Sequence, residues 1–299
     1  DLSRLNPEQR EAVTATEGAV LVVAGPGSGK TAVIAARAAY IIDQGLAEPS
    51  AVLAVTFTNK AGRELKRRLA SVLEDAAGEI CAGTFHAFAL RLLRERSGHF
   101  GFDPGHLSVY ADEEDRRGAL TQALTDLGID PRTQPRRALL QAISRAKDHL
   151  LWPADVKPKD PELAAIYAGY QEVLRRRNAL DFDDFLLFTV RLMEENEDAA
   201  TSIRESYRYI LVDEYQDVNH AQHRLLTLLA AGHGNLCVVG DPLQNLFSWR
   251  GSDIRYLLDF QRDYPDGRVI KLEQNYRSTQ VILSVANALS AALRYGARN

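Results

Sequence analysis

Short apolar runs alternate with longer helical patterns through the first hundred residues of the chain. Residues 19–24, 52–58 and 80–84 are apolar stretches too short for a helix. Each is followed by a segment, at 30–44, 60–73 and 85–96, whose apolar positions recur every three to four residues. That is the rhythm of strand then helix, which buries strands on both faces and builds a parallel sheet. The rhythm lapses between about 101 and 180, where Pro and charged residues interrupt amphipathic stretches at 137–149 and 162–177. It resumes with strand-like runs at 209–212, 236–239 and 269–272. A helical subdomain inserted into one α/β domain explains the lapse. The Pro-rich piece from Trp152 to Pro161 reads as a loop between insert helices rather than a linker between independent domains.

With 299 residues, 45% of them hydrophobic, the chain can bury a large core. No run approaches the roughly 20 apolar residues of a membrane span, and the polar opening Asp1-Leu2-Ser3-Arg4 does not look like a secretory signal, which points to the cytoplasm. Cys81 and Cys237 each sit in an apolar run and form no CxxC pair, so both are expected to be reduced, buried thiols. A formal charge of -4 gives no support to nucleic-acid binding as a global property. Any such role must rest on local patches. The opening without Met and the stop at Arg298-Asn299 read as those of a fragment of a longer protein.

The first chemistry lies at Ala24-Gly25-Pro26-Gly27-Ser28-Gly29-Lys30-Thr31, between the strand-like Val20–Val23 and an Ala-rich helical pattern. This is the context a Walker A loop requires, with Ala24 where the strict pattern has Gly. Small residues let backbone N–H groups face phosphates, the helix N-terminus adds its positive end, Lys30 reaches the β- and γ-phosphates, and the Thr31 hydroxyl can ligate Mg²⁺. The second lies at Tyr209-Ile210-Leu211-Val212-Asp213-Glu214, an apolar strand ending in two acids. Asp213 can hold the Mg²⁺ shell, and Glu214 can activate water. Loop and acids together indicate ATP hydrolysis; a P-loop kinase shares the loop and the metal-binding Asp, but Glu214 favours water as the nucleophile.

The run Asp213-Glu214-Tyr215-Gln216-Asp217-Val218-Asn219 resembles the DEYQDxN motif of superfamily-one helicases of the UvrD/Rep/PcrA type. Other segments match in the family's order: Leu5-Asn6-Pro7-Glu8-Gln9, Thr56-Phe57-Thr58-Asn59-Lys60-Ala61, Gly83-Thr84-Phe85-His86, Leu180-Asp181-Phe182-Asp183-Asp184, Trp249-Arg250-Gly251 and Leu272-Glu273-Gln274-Asn275-Tyr276-Arg277-Ser278. The likeness covers essentially the whole chain. It implies a RecA-like ATP-binding domain over 1–100 and 181–271, a mostly helical insert at 101–180, and the start of a missing second RecA-like domain from Leu272 on.

The resemblance also implies roles. Gln9 is the glutamine that reads the adenine edge, Tyr276 stacks on adenine, Gln244 senses the γ-phosphate, and Arg277 is an arginine finger on the transition-state charge. Asp217 and Asn219 help couple the metal site to the DNA face. For single-stranded or partly duplex DNA the implied contacts are Thr58, Asn59 and Lys60 at one strand-to-helix turn, Thr84, Phe85 and His86 at another, and Trp249 with Arg250. Phe85 and His86 could equally be core residues. The basic series Arg63, Lys66, Arg67 and Arg68 reads as a solvated helix face, not a site.

Two departures qualify the likeness. Ala32 follows Lys30-Thr31 where the family often has a nucleotide-binding Arg, and Gly240-Asp241-Pro242-Leu243-Gln244 lacks a second acid near Leu243. The implied parent is an ATP- and Mg²⁺-dependent helicase or translocase moving 3′ to 5′, and this chain is its monomeric fragment, unable to unwind DNA without the second domain. The motor of a RecB/AddA-like helicase–nuclease, an ATP-binding switch without unwinding activity, and a P-loop kinase remain alternatives.

Overall fold

The computed structural model describes residues 2–245, 251–279 and 281–285. Six strands form one parallel sheet: β1 (Val20–Ala24), β2 (Val52–Thr56), β3 (Cys81–Thr84), β6 (Tyr209–Val212), β7 (Leu236–Gly240) and β8 (Arg268–Leu272), in the order β3-β2-β6-β7-β1-β8. Two further strands, β4 (Ser108–Tyr110) and β5 (Ala179–Asp181), pair in parallel with each other, Val109 opposite Leu180. β2, β6 and β7 are buried along their whole length, which is why they read as continuous apolar runs. Their side chains alternate between two cores. Val52 and Ala54 with Tyr209 and Leu211 face one side, and Leu53 and Val55 with Ile210 and Val212 face the other. The first core is closed by α1 (Pro7–Thr14), α2 (Lys30–Asp43) and α3 (Asn59–Leu73), and the second by α4 (Phe85–Arg96) together with later helices.

Between 101 and 180 lie α5 (Glu113–Asp126), α6 (Arg136–Asp148), the single turn α7 (Pro153–Val156) and α8 (Pro161–Arg176), which share a core of their own around Leu120, Ile143, Tyr167 and Tyr170. The expected helices at 137–149 and 162–177 are each displaced by one residue at either end. Pro161 takes the first helical position of α8 behind the capping side chain of Asp160. The segment is not purely helical, because β4 pairs with β5 at its exit; three residues are too few for an alternation to be read. The chain then returns to the main sheet through α9 (Asp184–Glu195), α10 (Glu197–Ser206), β6 and α11 (His220–Ala230). No described helix is long and apolar enough to cross a membrane. Cys237 is buried and Cys81 half-buried, both as free thiols.

A fully buried charge cluster fastens α6 to the β5–α9 junction. Lys147 Nζ lies 2.8 Å from Asp181 Oδ2 and 2.8 Å from Asp184 Oδ1, and the Tyr170 hydroxyl donates to Asp181 at 2.9 Å. Against the penalty of burial, Lys147 and Arg116 hold the Asp181 carboxyl below its ordinary range. Removing the cation would leave two carboxylates buried without it, so Lys147→Met should destabilise the chain by about 3–5 kcal/mol. Urea unfolding measures this, and a cost under about 1 kcal/mol would show that the cluster tolerates the loss.

Candidate nucleotide site and adjoining groove

The strand order sets the site. Read along the C-terminal edge of the sheet, β1 delivers the glycine loop, β7 delivers Asp241, β6 delivers Asp213 and Glu214, β2 delivers Thr58, and β3 delivers Thr84. Ligands of open parallel sheets bind at this edge.

Ala24 ends β1 in the core, and the loop from Gly25 to Gly29 turns back into α2. Gly29 has φ 92° and Gly27 has φ 77°, a region costly for a residue with a side chain. A Cβ on Gly27 would stand 2.7 Å from Arg277 Cβ and 2.9 Å from Asn275 Nδ2. Ser28 closes the turn, its hydroxyl donating to Gly25 O at 2.7 Å. The result is a backbone cradle that a side chain would fill, which suits a phosphate chain.

Beside the cradle, Thr31 Oγ1 donates to Asp213 Oδ2 at 2.9 Å, and Lys30 Nζ lies 3.7 Å from Glu214 Oε2. Burial and the adjacent Glu214 push the Asp213 carboxyl up to about 6, against the pull of Thr31 and Lys30. Glu214 sits at φ 54°, a left-handed conformation costing about 1–3 kcal/mol for such a residue. Such strain belongs to sites that need one side-chain direction. Among the described residues no group of three His, Cys, Asp or Glu could hold a metal alone. Thr31 and Asp213 nevertheless fit Mg²⁺, which is held by one or two protein oxygens completed by phosphates and water.

Gln244 Nε2 donates to Asp241 Oδ2 at 2.5 Å, and Gln244 and Arg277 line the same cavity of about 570 Å³ as Lys30, Thr31, Ala32 and Glu214. The basic face of α3 also lines this cavity: Lys60, Arg63, Arg67 and Arg68, with Glu64 tying Arg67 at 2.6 Å and Arg68 at 3.0 Å. Arg63, Lys66, Arg67 and Arg68 are exposed, the solvated face expected from the sequence, and Arg63, Arg67 and Arg68 also border this cavity. Lys60, expected on the DNA side, also lines this cavity.

Just beyond β8 the chain passes over the loop. Tyr276 N donates to Gly27 O at 2.9 Å, and Asn275 Nδ2 donates to Pro26 O. Tyr276 is 57% exposed, leaving room to stack, and its hydroxyl accepts from Asn6 Nδ2 at 3.0 Å. Gln9 is buried, with its amide engaged at both ends: Nε2 donates to Ser28 O at 3.0 Å, and Oε1 accepts from Asn6 N at 3.2 Å in the capping box of α1. One N–H and one lone pair remain for a base edge.

A second cavity, of about 980 Å³, runs between the sheet edge and α6. Thr58, Asn59, Thr84 and His86 line it, and so do Phe57, Phe182, Arg137 and Arg145, which carried no role in the sequence reading. Thr58 and Thr84 cap α3 and α4 by accepting from Ala61 N and Ala87 N at 3.1 and 3.2 Å. A capping hydroxyl still has its proton to donate. The His86 and Phe182 rings stack at 3.9 Å and 16°, and burial lowers the His86 pKa to about 4, so this stack is neutral at pH 7. Phe85 is the correction here. It is 1% exposed in the second core, because the first turn of α4 rolls it inward, and it offers no face to a base. Trp249 and Arg250 lie outside the described residues.

A parallel six-stranded sheet with a glycine cradle after β1 and, after β6, an acid bonded to the threonine of that loop defines a P-loop domain of the RecA type. The comparisons narrow it. Residues 5–265 match the model of the UvrD/REP helicase N-terminal domain, and the chain belongs to that family. It is 42% identical over 291 residues to the ATP-dependent DNA helicase PcrA of Staphylococcus aureus strain Mu50, covering 96% of this chain and 40% of that protein. It is 40% identical over 291 residues to the PcrA of Staphylococcus epidermidis strain RP62A, with the same coverage. The chain thus spans about 40% of the length of the curated relatives it matches.

Proposed function

We propose that this chain is the ATP-binding part of a DNA helicase or translocase, binding ATP with Mg²⁺ in the smaller cavity and single-stranded or partly duplex DNA along the larger. The observation that carries the reading is the contact of Thr31 with Asp213 beside a glycine cradle, with Glu214 and Gln244 on the same cavity. The loop N–H groups and Lys30 hold the β- and γ-phosphates, and Thr31 and Asp213 hold the cation. Bound Mg²⁺ neutralises phosphate charge. Glu214 takes the proton of the attacking water, Gln244 orients that water against the terminal phosphate, and Arg277 meets the charge that develops. Tyr276 stacks on the base, and Gln9 reads its edge. We assign 1–100 with 181–271 to the RecA-like body and 101–180 to the insert; residues from Leu272 lead toward a second domain.

For DNA, the phosphates run past Thr58, Asn59 and Thr84, and the exposed face of Phe182, 42% accessible and backed by His86, takes a base. Phe182→Ala should weaken binding of a thymidine oligonucleotide by roughly 1–3 kcal/mol, the worth of one stacked base. Fluorescence anisotropy checks this; unchanged affinity would remove Phe182 from the DNA path. Trp249 and Arg250 stay assigned to DNA on the sequence resemblance.

A further inference from the structure

Gln216 lies one residue beyond Glu214-Tyr215, is 1% exposed, and has no place in the roles above. Its amide is used at both ends: Nε2 donates to Glu214 Oε2 at 2.7 Å, and Oε1 accepts from Asp241 N at 3.0 Å. Its backbone carbonyl accepts from Asn245 Nδ2 at 2.7 Å. Asp241 in turn holds the next turn, accepting from Leu243 N at 3.0 Å and from Gln244 Nε2 at 2.5 Å. The approach depends on a glycine, since a Cβ on Gly240 would stand 3.0 Å from Gln216 Oε1 and 2.5 Å from Leu257 Cδ1.

We propose that Gln216 is a positioning residue that clamps the Glu214 carboxylate and the turn carrying Gln244 into one unit, so that proton acceptor and phosphate sensor hold a fixed relation. The role rests on the reading of Glu214 as the base. The chemistry of the position admits little else. One end must donate to a carboxylate and the other must accept from a backbone N–H, which Glu cannot do when ionised and Asn is too short to span. Lys30 and Gln216 both address Oε2 of Glu214, and Oε1 is then the oxygen that takes the proton from water. The clamp also holds Glu214 in its left-handed backbone conformation, together with the donation of Glu214 N to Asp213 Oδ1 at 3.0 Å.

The test uses the full-length protein with single-stranded DNA present, comparing Gln216→Glu, Gln216→Leu and the exchange Gln216→Glu with Glu214→Gln. Gln216→Glu and Gln216→Leu should each lower kcat about 10- to 100-fold, as losing a buried supporting partner does, while affinity for a fluorescent ATP analogue stays within about twofold. The exchange restores a donor facing an acceptor, so it should melt near the unaltered protein yet remain without turnover. Combining Gln216→Leu with Gln244→Ala should cost little more than the worse single change. An unchanged kcat in both single variants, or kcat and nucleotide affinity falling together with the melting temperature, would overturn the role. No hydrolysis by the unaltered protein would overturn the functional reading itself, and this role with it.

Discussion

Lys30→Ala should reduce ATP hydrolysis by the full-length protein at least about 100- to 1,000-fold, the scale of removing one preorganised electrostatic contact from a transferring group. Lys30 is the only cation that the loop brings onto the cradle, and its side chain is only 10% exposed, so bulk water cannot substitute for it. The four cations of α3 that line the same cavity are exposed on a helix surface, where solvent screens them. Stability should hardly change. The partner Glu214 is about one-third exposed, and such a pair contributes at most about 1 kcal/mol. Steady-state hydrolysis alongside thermal melting separates the two effects; undiminished hydrolysis would refute the loop assignment.

Glu214→Gln should stop turnover while leaving nucleotide binding intact. The amide keeps the size of the carboxylate but accepts no proton from water, and loss of a general base costs about 10²–10⁴-fold. The side chain lines the cavity without meeting the cradle, whose contacts run through Gly27, Ser28 and Asn275. Binding of a fluorescent ATP analogue measured beside kcat decides the matter. If affinity fell as far as rate, Glu214 would be a structural residue.

Most of the sheet was legible in the sequence because its strands are buried on both faces. β1, β6 and β7 have no polar positions to confuse with a helix, and their observed bounds lie within a residue of those read from the pattern. β2 is shorter than expected, since Thr58 leaves the ladder to cap α3. The P-loop and the paired acids were legible for a different reason: their chemistry needs particular residues at fixed spacing. What stayed hidden depends on which way a helix faces. α3 buries Gly62, Leu65 and Leu69, which gives the sequence an amphipathic pattern but no indication that part of its polar face lines the same cavity as Lys30 and Ala32. Phe57 and Phe85 each stand next to a strand-ending threonine, yet the first lines the larger cavity and the second packs in the core, a difference decided by how each chain turns into its helix. The pairing of Lys147 with Asp181 and Asp184 spans more than thirty residues and leaves no local trace.

The central claim is that hydrolysis at one cavity is coupled to DNA in the other. The most direct test is the rate of ATP hydrolysis by the full-length protein and by this chain, with and without single-stranded DNA. The account predicts strong stimulation by DNA in the full-length protein and its loss in this chain. A full-length protein that hydrolyses ATP at the same rate with or without DNA would contradict it.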